Sequence, residues 1–131
     1  MAGYSKRSLA QKLGLKDGHR VATEGHPGWA ALIGEHGLDL EHLDGDAAVD
    51  LDFVHVFCLE RAAFEAAFAH WKTRTRPAGM IWVSWPKKGS GQQRDLNEDG
   101  VREVVLPTGW VDVKVCAVDA VWSGLKLVLR K

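Results

Sequence analysis

The sequence predicts a single α/β domain in three layers, with helices on both faces of a mostly parallel sheet. Apolar runs of strand length, at 51–59 and 80–85, alternate along the chain with segments of helical periodicity. Strands that alternate with helices are typical of parallel sheets with covered faces. The last two apolar runs, at 111–118 and 125–129, have only a short turn between them, which predicts a C-terminal antiparallel hairpin strand. A chain of 131 residues fits one core.

The elements of the first half are predicted from apolar spacing and turn residues. Leu9 and Leu13 lie four apart and precede Gly14, a favourable helix C-cap. Pro27 suits the first turn of a helix, and Trp29 begins its apolar face. The predicted elements are a helix at 5–13, a turn at 16–18, a strand at 19–23, a loop at 24–28, a helix from 29 to Gly34 or Gly37, an outer strand at 38–43 and a buried strand at 51–59.

The second half contains the clearest helix, because Phe64, Phe68 and Trp71 recur at helical spacing on one face. Asn97 is a favourable N-cap for the next helix. The predicted elements are a helix at 60–72, a turn at 76–79, a buried strand at 80–85, a helix at 97–106 and the two hairpin strands. We expect residues 1–131 to form one domain, with the helix and turn of 1–18 packed on its core.

Composition excludes several classes of function. Lys plus Arg is 17 and Asp plus Glu is 17, so the net charge is zero, which argues against binding of duplex nucleic acid. No apolar run approaches the roughly 20 residues that cross a bilayer. The segment Met1 to Arg7 is basic but precedes no apolar region of a signal peptide, so we expect a cytoplasmic protein. Cys58 and Cys116 are too few for a disulfide scaffold, and no metal-ligand spacing occurs.

The most informative stretch runs from Met80 to Gly91, where a buried strand becomes a cationic, glycine-containing loop. In open α/β sheets, the loops at the carboxyl ends of the strands line the ligand crevice. The sequence therefore predicts a binding site from the loops after the first strand and the strand at 80–85. The candidate cofactor-binding residues are Glu24, Gly25, His26, Trp85, Lys87, Lys88 and Ser90.

Two interpretations of the cationic loop remain open. Lys87, Lys88 and Ser90 lead towards the helix that starts at Asn97, and cations near a helix start favour an anionic ligand. Alternatively, the loop is solvated and the acidic residues after it cap the helix. Phosphate at the helix start would be repelled by Asp99 and its acidic neighbours.

No residue is assigned a catalytic role from the sequence. His26 is a candidate general base, although no partner for it follows from the sequence. Cys58 ends a strand, where a helix start can activate a thiol, but its apolar neighbours favour a buried, inert thiol. His55 lies within a strand and is expected to be a hydrogen-bonded core or edge residue.

The element order is similar to that of the class I methyltransferase fold, a Rossmann-like fold whose sheet also finishes with an antiparallel strand. The resemblance covers residues 19–131. The family carries a Gly-x-Gly pattern after the first strand, whereas this chain has Glu24-Gly25-His26-Pro27-Gly28. An acidic residue after the second strand would hold a ribose, and Glu41 is the nearest candidate. The resemblance implies an adenosyl compound as a ligand.

Short phrases along nearly the whole chain resemble the bacterial, mainly actinobacterial, domain-of-unknown-function 3052 family. That family has no established activity, so the resemblance implies a bacterial protein without assigning a catalytic residue. The phrases are residues 10–21, 85–88, 95–99 with 101–103, and 113–119 with 122–126.

Three functions are consistent with these patterns. The favoured one is a non-enzymatic binding or regulatory module with a degenerate methyltransferase-like crevice for an anionic small molecule or adenosyl compound. The first alternative is a minimal S-adenosylmethionine- or nucleotide-binding enzyme that uses the cleft between residues 24–27 and 85–90. An open pocket beside Gly25, with Lys87 or Lys88 pointing in, would favour ligand binding. The second alternative is a homodimer or interaction subunit that uses the Trp-rich C-terminal hairpin.

Overall fold

The computed structural model describes residues 8–34 and 37–130. The described residues form a six-stranded sheet and four α-helices. Short 3-10 turns lie at Gly45–Ala47 and Leu106–Thr108. The strands are β1 (Arg20–Glu24), β2 (Glu41–His42), β3 (Leu51–Phe57), β4 (Thr75–Pro86), β5 (Trp110–Ala117) and β6 (Trp122–Leu129), and the helices are α1 (Leu9–Leu13), α2 (Trp29–Ile33), α3 (Arg61–Trp71) and α4 (Glu98–Val105).

The strand order is β2-β1-β3-β4-β6-β5. Strands β1 to β4 are parallel, and β6 lies between β4 and β5, antiparallel to both. The mostly parallel sheet with one antiparallel hairpin strand is therefore confirmed. Because the strands are parallel, the loops that follow β1, β3 and β4 emerge at the same edge of the sheet.

Two apolar cores, one on each face of the sheet, create the three layers. One core packs α3 and α4 against the sheet and includes Phe64, Phe68 and Val101. The other packs α1 and α2 and includes Leu13 and Trp29. For α3, the helical spacing of Phe64, Phe68 and Trp71 in the sequence predicted the side that is buried.

Side-chain caps fix the starts of two helices. Ser8 and Gln11 form a reciprocal capping box at the start of α1, and Gly14 ends this helix with a φ of 91°. Asn97 Oδ1 accepts a hydrogen bond from Gly100 N at 2.8 Å, as the sequence predicted for α4. The predicted helix at 5–13 is described only from residue 9, and the interpretation of Met1 to Arg7 falls outside the described residues.

The predicted turn at 76–79 is wrong, because β4 begins at Thr75. Leu51 pairs with Thr75 but Phe53 pairs with Met80, so the intervening residues form an irregularity within the strand. Gly79 fits within this irregularity because it has no side chain: a Cβ at this position would lie 2.7 Å from Leu51 O. The outer strand, predicted at 38–43, is reduced to the two residues of β2.

The two tryptophans of the C-terminal hairpin pack against the cores, Trp110 buried and Trp122 half-buried. Trp110 is only 4% exposed and belongs to the core on the side of α3 and α4. Trp122 packs against the opposite core. The exposed apolar side chains of the hairpin are instead Val113 and Val115, on the edge strand β5. Within the described residues, no helix is both long enough and apolar enough to span a membrane.

Candidate functional site

The loop after β1 lines an open cavity of about 400 Å³ at the carboxyl edge of the sheet. Its lining includes Glu24, Gly25 and His26, so these three predicted residues lie together. Thr23 and Pro27 complete the lining. A cavity of this volume falls within the range of small-molecule sites. Trp122 flanks the cavity through its contact with His26 without filling it.

Gly25 is required by a close approach between the loop and β3. Its φ is +90°, and a Cβ at this position would lie 2.3 Å from Phe57 O. An L-residue would meet both the strain of the left-handed region and a collision with backbone. The glycine therefore allows the loop to lie directly on the end of β3.

His26 contributes a buried polar atom without a partner. Its ring packs against Phe57, with centroids 4.7 Å apart, and against Trp122 at 6.2 Å. Among the described residues, its Nδ1 is buried and makes no hydrogen bond. Since buried polar groups in native proteins are rarely left unsatisfied, this nitrogen suits a bound ligand.

Glu24 is held by a residue of α3 that the sequence did not suggest. The indole Nε1 of Trp71 donates to Glu24 Oε1 at 2.8 Å. The neighbouring Cys58 is buried, and burial together with the Glu24 charge raises the pKa of the Cys58 thiol to about 12. The thiol is therefore protonated at neutral pH and is a poor nucleophile.

A second cavity of about 270 Å³ adjoins the first through Thr23. It lies at the carboxyl end of β2 and is also lined by His42 and Asp44. The acid suggested by the sequence, Glu41, instead pairs with Arg20 at 3.2 Å and lines neither cavity. Asp44 is the acidic residue that lines this second cavity, and its position 20 residues after Glu24 was a signal available in the sequence.

The other predicted residues do not join this crevice. Trp85 and Lys88 line a separate cavity of about 480 Å³ at the start of α4. Glu98 and Asp99 share that cavity, and both are paired with Arg102. Negative charge thus lies beside Lys88, where the anion hypothesis requires positive charge. The remaining lining residues are Gln93 and Asn97.

Lys87 and Ser90 form hydrogen bonds within the turn that follows β4 and with the hairpin. Lys87 N donates to Val121 O at 2.7 Å, which joins the loop to the hairpin. Ser90 N donates to Lys87 O, and Ser90 Oγ accepts a hydrogen bond from Gln92 N at 3.1 Å. These two residues line none of the three cavities described. The predicted set is therefore divided between the crevice, the cavity at α4 and a structural turn.

A buried polar network lies beneath the crevice. Trp29 Nε1 donates to His55 Nδ1 at 3.1 Å, and His55 Nε2 lies 2.8 Å from Ser84 Oγ. An indole nitrogen only donates, so Nδ1 must accept and the imidazole proton must lie on Nε2. His55 and Ser84 are fully buried. This His–Ser pair is a structural contact, because the histidine donates to the serine and cannot activate it in this tautomer.

A metal site does not form within the described parts of the chain, where no group of three or more His, Cys, Asp and Glu side chains converges. The candidate site is therefore the crevice lined by residues 23–27 and 42–44. It contains a glycine, a histidine nitrogen that has no partner among the described residues, and two acids.

Several solved structures with a similar fold are methyltransferases by name. A putative type 11 methyltransferase from Sulfolobus solfataricus is 12% identical with a TM-score of 0.60, over 94% of this chain and 90% of that one. The ribosomal protein L11 methylase from Lactobacillus delbrueckii subsp. bulgaricus is 10% identical with a TM-score of 0.63, over 92% and 74%.

A third structure is the 1,6-didemethyltoxoflavin-N1-methyltransferase of Burkholderia thailandensis, which contains S-adenosylhomocysteine. It is 17% identical with a TM-score of 0.57, over 94% of this chain and 75% of that one. These identities establish the Rossmann-like methyltransferase fold and no more. No family model and no curated protein matches the chain, so membership of the domain-of-unknown-function 3052 family is not supported.

Proposed function

We propose that this chain binds S-adenosylmethionine, or a related adenosyl compound, in the crevice lined by residues 23–27 and 42–44, as a small methyltransferase. The observation that carries the proposal is the pair of adjoining cavities that share Thr23 at the carboxyl ends of β1 and β2. The carboxyl edge of an open α/β sheet is where such folds bind nucleotides. The fold shared with methyltransferases, one of which contains S-adenosylhomocysteine, supports this choice of ligand.

The crevice residues fit an adenosyl ligand. The Asp44 carboxylate follows β2 and suits the hydroxyl groups of a ribose. Gly25 allows the loop that lines the crevice to lie on the end of β3, where a side chain would collide with Phe57 O. His26 Nδ1 offers a buried nitrogen that has no partner among the described residues. Together these groups provide an acceptor for the ribose and one further polar contact.

S-adenosylmethionine supplies an electrophilic methyl group when it is bound. The chain would bind and orient the ligand through Asp44 and the loop at Gly25. The rings of Phe57 and Trp122 beside His26 would exclude water from that side of the crevice.

Titration calorimetry with S-adenosylmethionine and S-adenosylhomocysteine tests this proposal. We expect Asp44→Asn to weaken binding by roughly tenfold, since a hydrogen bond to a charged group contributes about that factor. Glu41→Gln is the matched control, because Glu41 lies within β2, lines neither cavity and pairs with Arg20. Absence of binding to the wild-type chain, or equal losses in the two variants, would contradict the proposal.

A non-enzymatic module that binds the same ligand is the second candidate. Gly28 has an ordinary φ of −89°, so the loop lacks the second left-handed glycine of a turn that cradles phosphate. The helix after the loop, α2, has only five residues. The two candidates differ in methyl transfer. Incorporation of a labelled methyl group into an acceptor from cell extract, lost in Asp44→Asn, favours the enzyme. Binding of both ligands without any incorporation favours the module.

A further inference from the structure

Three lysines gather on the face of the sheet that α1 covers. Lys114 on β5 lies directly opposite Lys126 on β6. Directly opposed residues of antiparallel strands project from the same face. Lys114 Nζ donates to Lys12 O at 3.0 Å, so its ammonium lies at the end of α1. Lys16 follows that end closely in the chain and its charge acts on Lys126, so a third ammonium lies nearby.

The described part of the chain supplies no carboxylate partner for the three ammonium groups. None of them forms a salt bridge with a carboxylate in the described residues. The nearby Asp17 uses Oδ1 to accept a hydrogen bond from Asp39 N at 2.7 Å, within a turn. Burial, and then the charges of Lys114 and Lys16, lower the pKa of Lys126. Like charges placed opposite each other on adjacent strands destabilise a sheet.

This cluster is separate from the crevice. Lys126 pairs with Trp82, whereas Trp122 pairs with Pro86 at the carboxyl edge of β4. The four intervening steps of strand correspond to about 13 Å. None of the three described cavities includes a residue of the cluster. A ligand held by these lysines would therefore lie on an open surface and contact mainly charge.

We propose that Lys16, Lys114 and Lys126 form a binding site for a compact, multiply charged phosphate group. Each ammonium provides up to three donors and a localised charge, which suits phosphate oxygens. A diphosphate carries enough negative charge to offset the lysines at once, and its oxygens accept in many directions. The group comes either from a free diphosphate or from the phosphates of an oligonucleotide.

Titration calorimetry with inorganic pyrophosphate, at constant ionic strength and pH 7.5, tests the site on the whole chain. We expect saturable binding that Lys126→Met weakens by roughly tenfold or more, because a charge-assisted hydrogen bond contributes about that factor. Lys72→Met is the matched control. It removes the same charge from the C-terminus of α3, on the opposite face of the sheet, and should change the affinity by less than about twofold.

Thermal unfolding without the anion provides a second measurement, which separates a binding role from a structural one. Lys126→Met should unfold at the same temperature as the wild type or a higher one, since the substitution removes repulsion and keeps the apolar stem. A lower unfolding temperature for the variant, equal pyrophosphate affinities for variant and wild type, or no saturable binding would each overturn the proposal.

Competition then identifies the source of the phosphate. A 5′-phosphorylated oligonucleotide that displaces pyrophosphate, when its 5′-hydroxyl counterpart does not, supports the site with a terminal phosphate as ligand. Displacement by both supports it with backbone phosphates as ligand. If pyrophosphate binds and neither oligonucleotide displaces it, the result supports the site with a free diphosphate as ligand.

Discussion

The indole of Trp71, in the last turn of α3, donates its N–H to the carboxylate of Glu24 at 2.8 Å. This contact joins residues 47 positions apart in the chain and ties a helix to the loop that lines the crevice. Trp71 is 7% exposed, so its N–H would lose a partner in a mostly buried position if Glu24 moved. The contact therefore couples the position of a crevice carboxylate to the packing of α3.

Trp71→Phe should destabilise the fold by about 1 to 3 kcal/mol, from the lost hydrogen bond and the smaller ring. The free energy of unfolding in urea measures this change. Glu24→Gln keeps an amide oxygen as acceptor and should cost less than Trp71→Phe. A larger loss in Glu24→Gln would contradict the role of the indole donor.

Gly25→Ala should be among the more damaging substitutions in the chain. The new Cβ would lie 2.3 Å from Phe57 O, in a backbone conformation with a φ of +90°. Gly89→Ala is the matched control, because Gly89 has a φ of +89° but no atom within 4 Å of its Cβ position. We expect the control to cost about 1 kcal/mol for the left-handed backbone, and Gly25→Ala to cost at least about 1 to 3 kcal/mol more. Equal losses would show that the loop does not lie on β3.

Stability should fall as the pH drops below neutrality because of His55. Burial, together with the charge of His26, lowers the pKa of His55 from 6.5 to about 3. Between these values the unfolded chain binds a proton that the folded chain does not, so stability is present above about pH 6.5 and is lost as the pH falls. The slope is about 1.4 kcal/mol per pH unit. Urea unfolding at pH 7.0, 6.0 and 5.0 measures it.

His55→Gln provides the comparison for this pH dependence. The pKa of His19 is also lowered by burial, so the variant should keep a shallower slope of the same sign. Lowered carboxyl pKa values, as for Asp52 and Asp112, contribute only nearer to their ordinary value of 3.8. Identical slopes in variant and wild type would contradict the assignment of His55 as a neutral side chain that donates a hydrogen bond to Ser84.

The two cysteines should differ in reactivity. Burial raises the pKa of Cys58 to about 12, whereas Cys116 is half-buried near the end of β5. At pH 8, a thiol reagent such as 5,5′-dithiobis(2-nitrobenzoic acid) should modify Cys116 and leave Cys58 unmodified until the chain unfolds. Cys116→Ser should therefore abolish the reaction of the native protein. A rapid reaction that persists in this variant would show that Cys58 is accessible.

The sequence predicted correctly those elements that are determined by residues close together in the chain. The spacing of Phe64, Phe68 and Trp71 predicted α3, and Asn97 predicted the start of α4, because periodicity and capping act within one or two turns. The turn at 76–79 was wrong because pairing of Thr75 with Leu51 extends β4 across residues that favour a turn. Such pairing joins distant parts of the chain and leaves no local signal.

For the candidate site, too, the sequence predicted what lies within one loop but not what the tertiary structure brings together or keeps apart. Glu24, Gly25 and His26 were predicted to lie together, and they do, because they are adjacent in one loop at the carboxyl edge. The sequence could not separate Trp85 and Lys88 from them, since the face on which each loop turns is decided by helix packing. It suggested Glu41 where the structure has Asp44, because the end of a two-residue strand is set by its pairing with β1.

By itself, the sequence determined the α/β class, the order of the elements, the antiparallel hairpin and the loop that lines the crevice. These follow from hydrophobic periodicity, capping and turn residues, which are properties of neighbouring positions. Only the tertiary structure decided that Trp71 holds Glu24, that His55 is a neutral donor and that Lys114 faces Lys126. Those relationships depend on strand register and helix docking, which bring together residues that are distant in the chain.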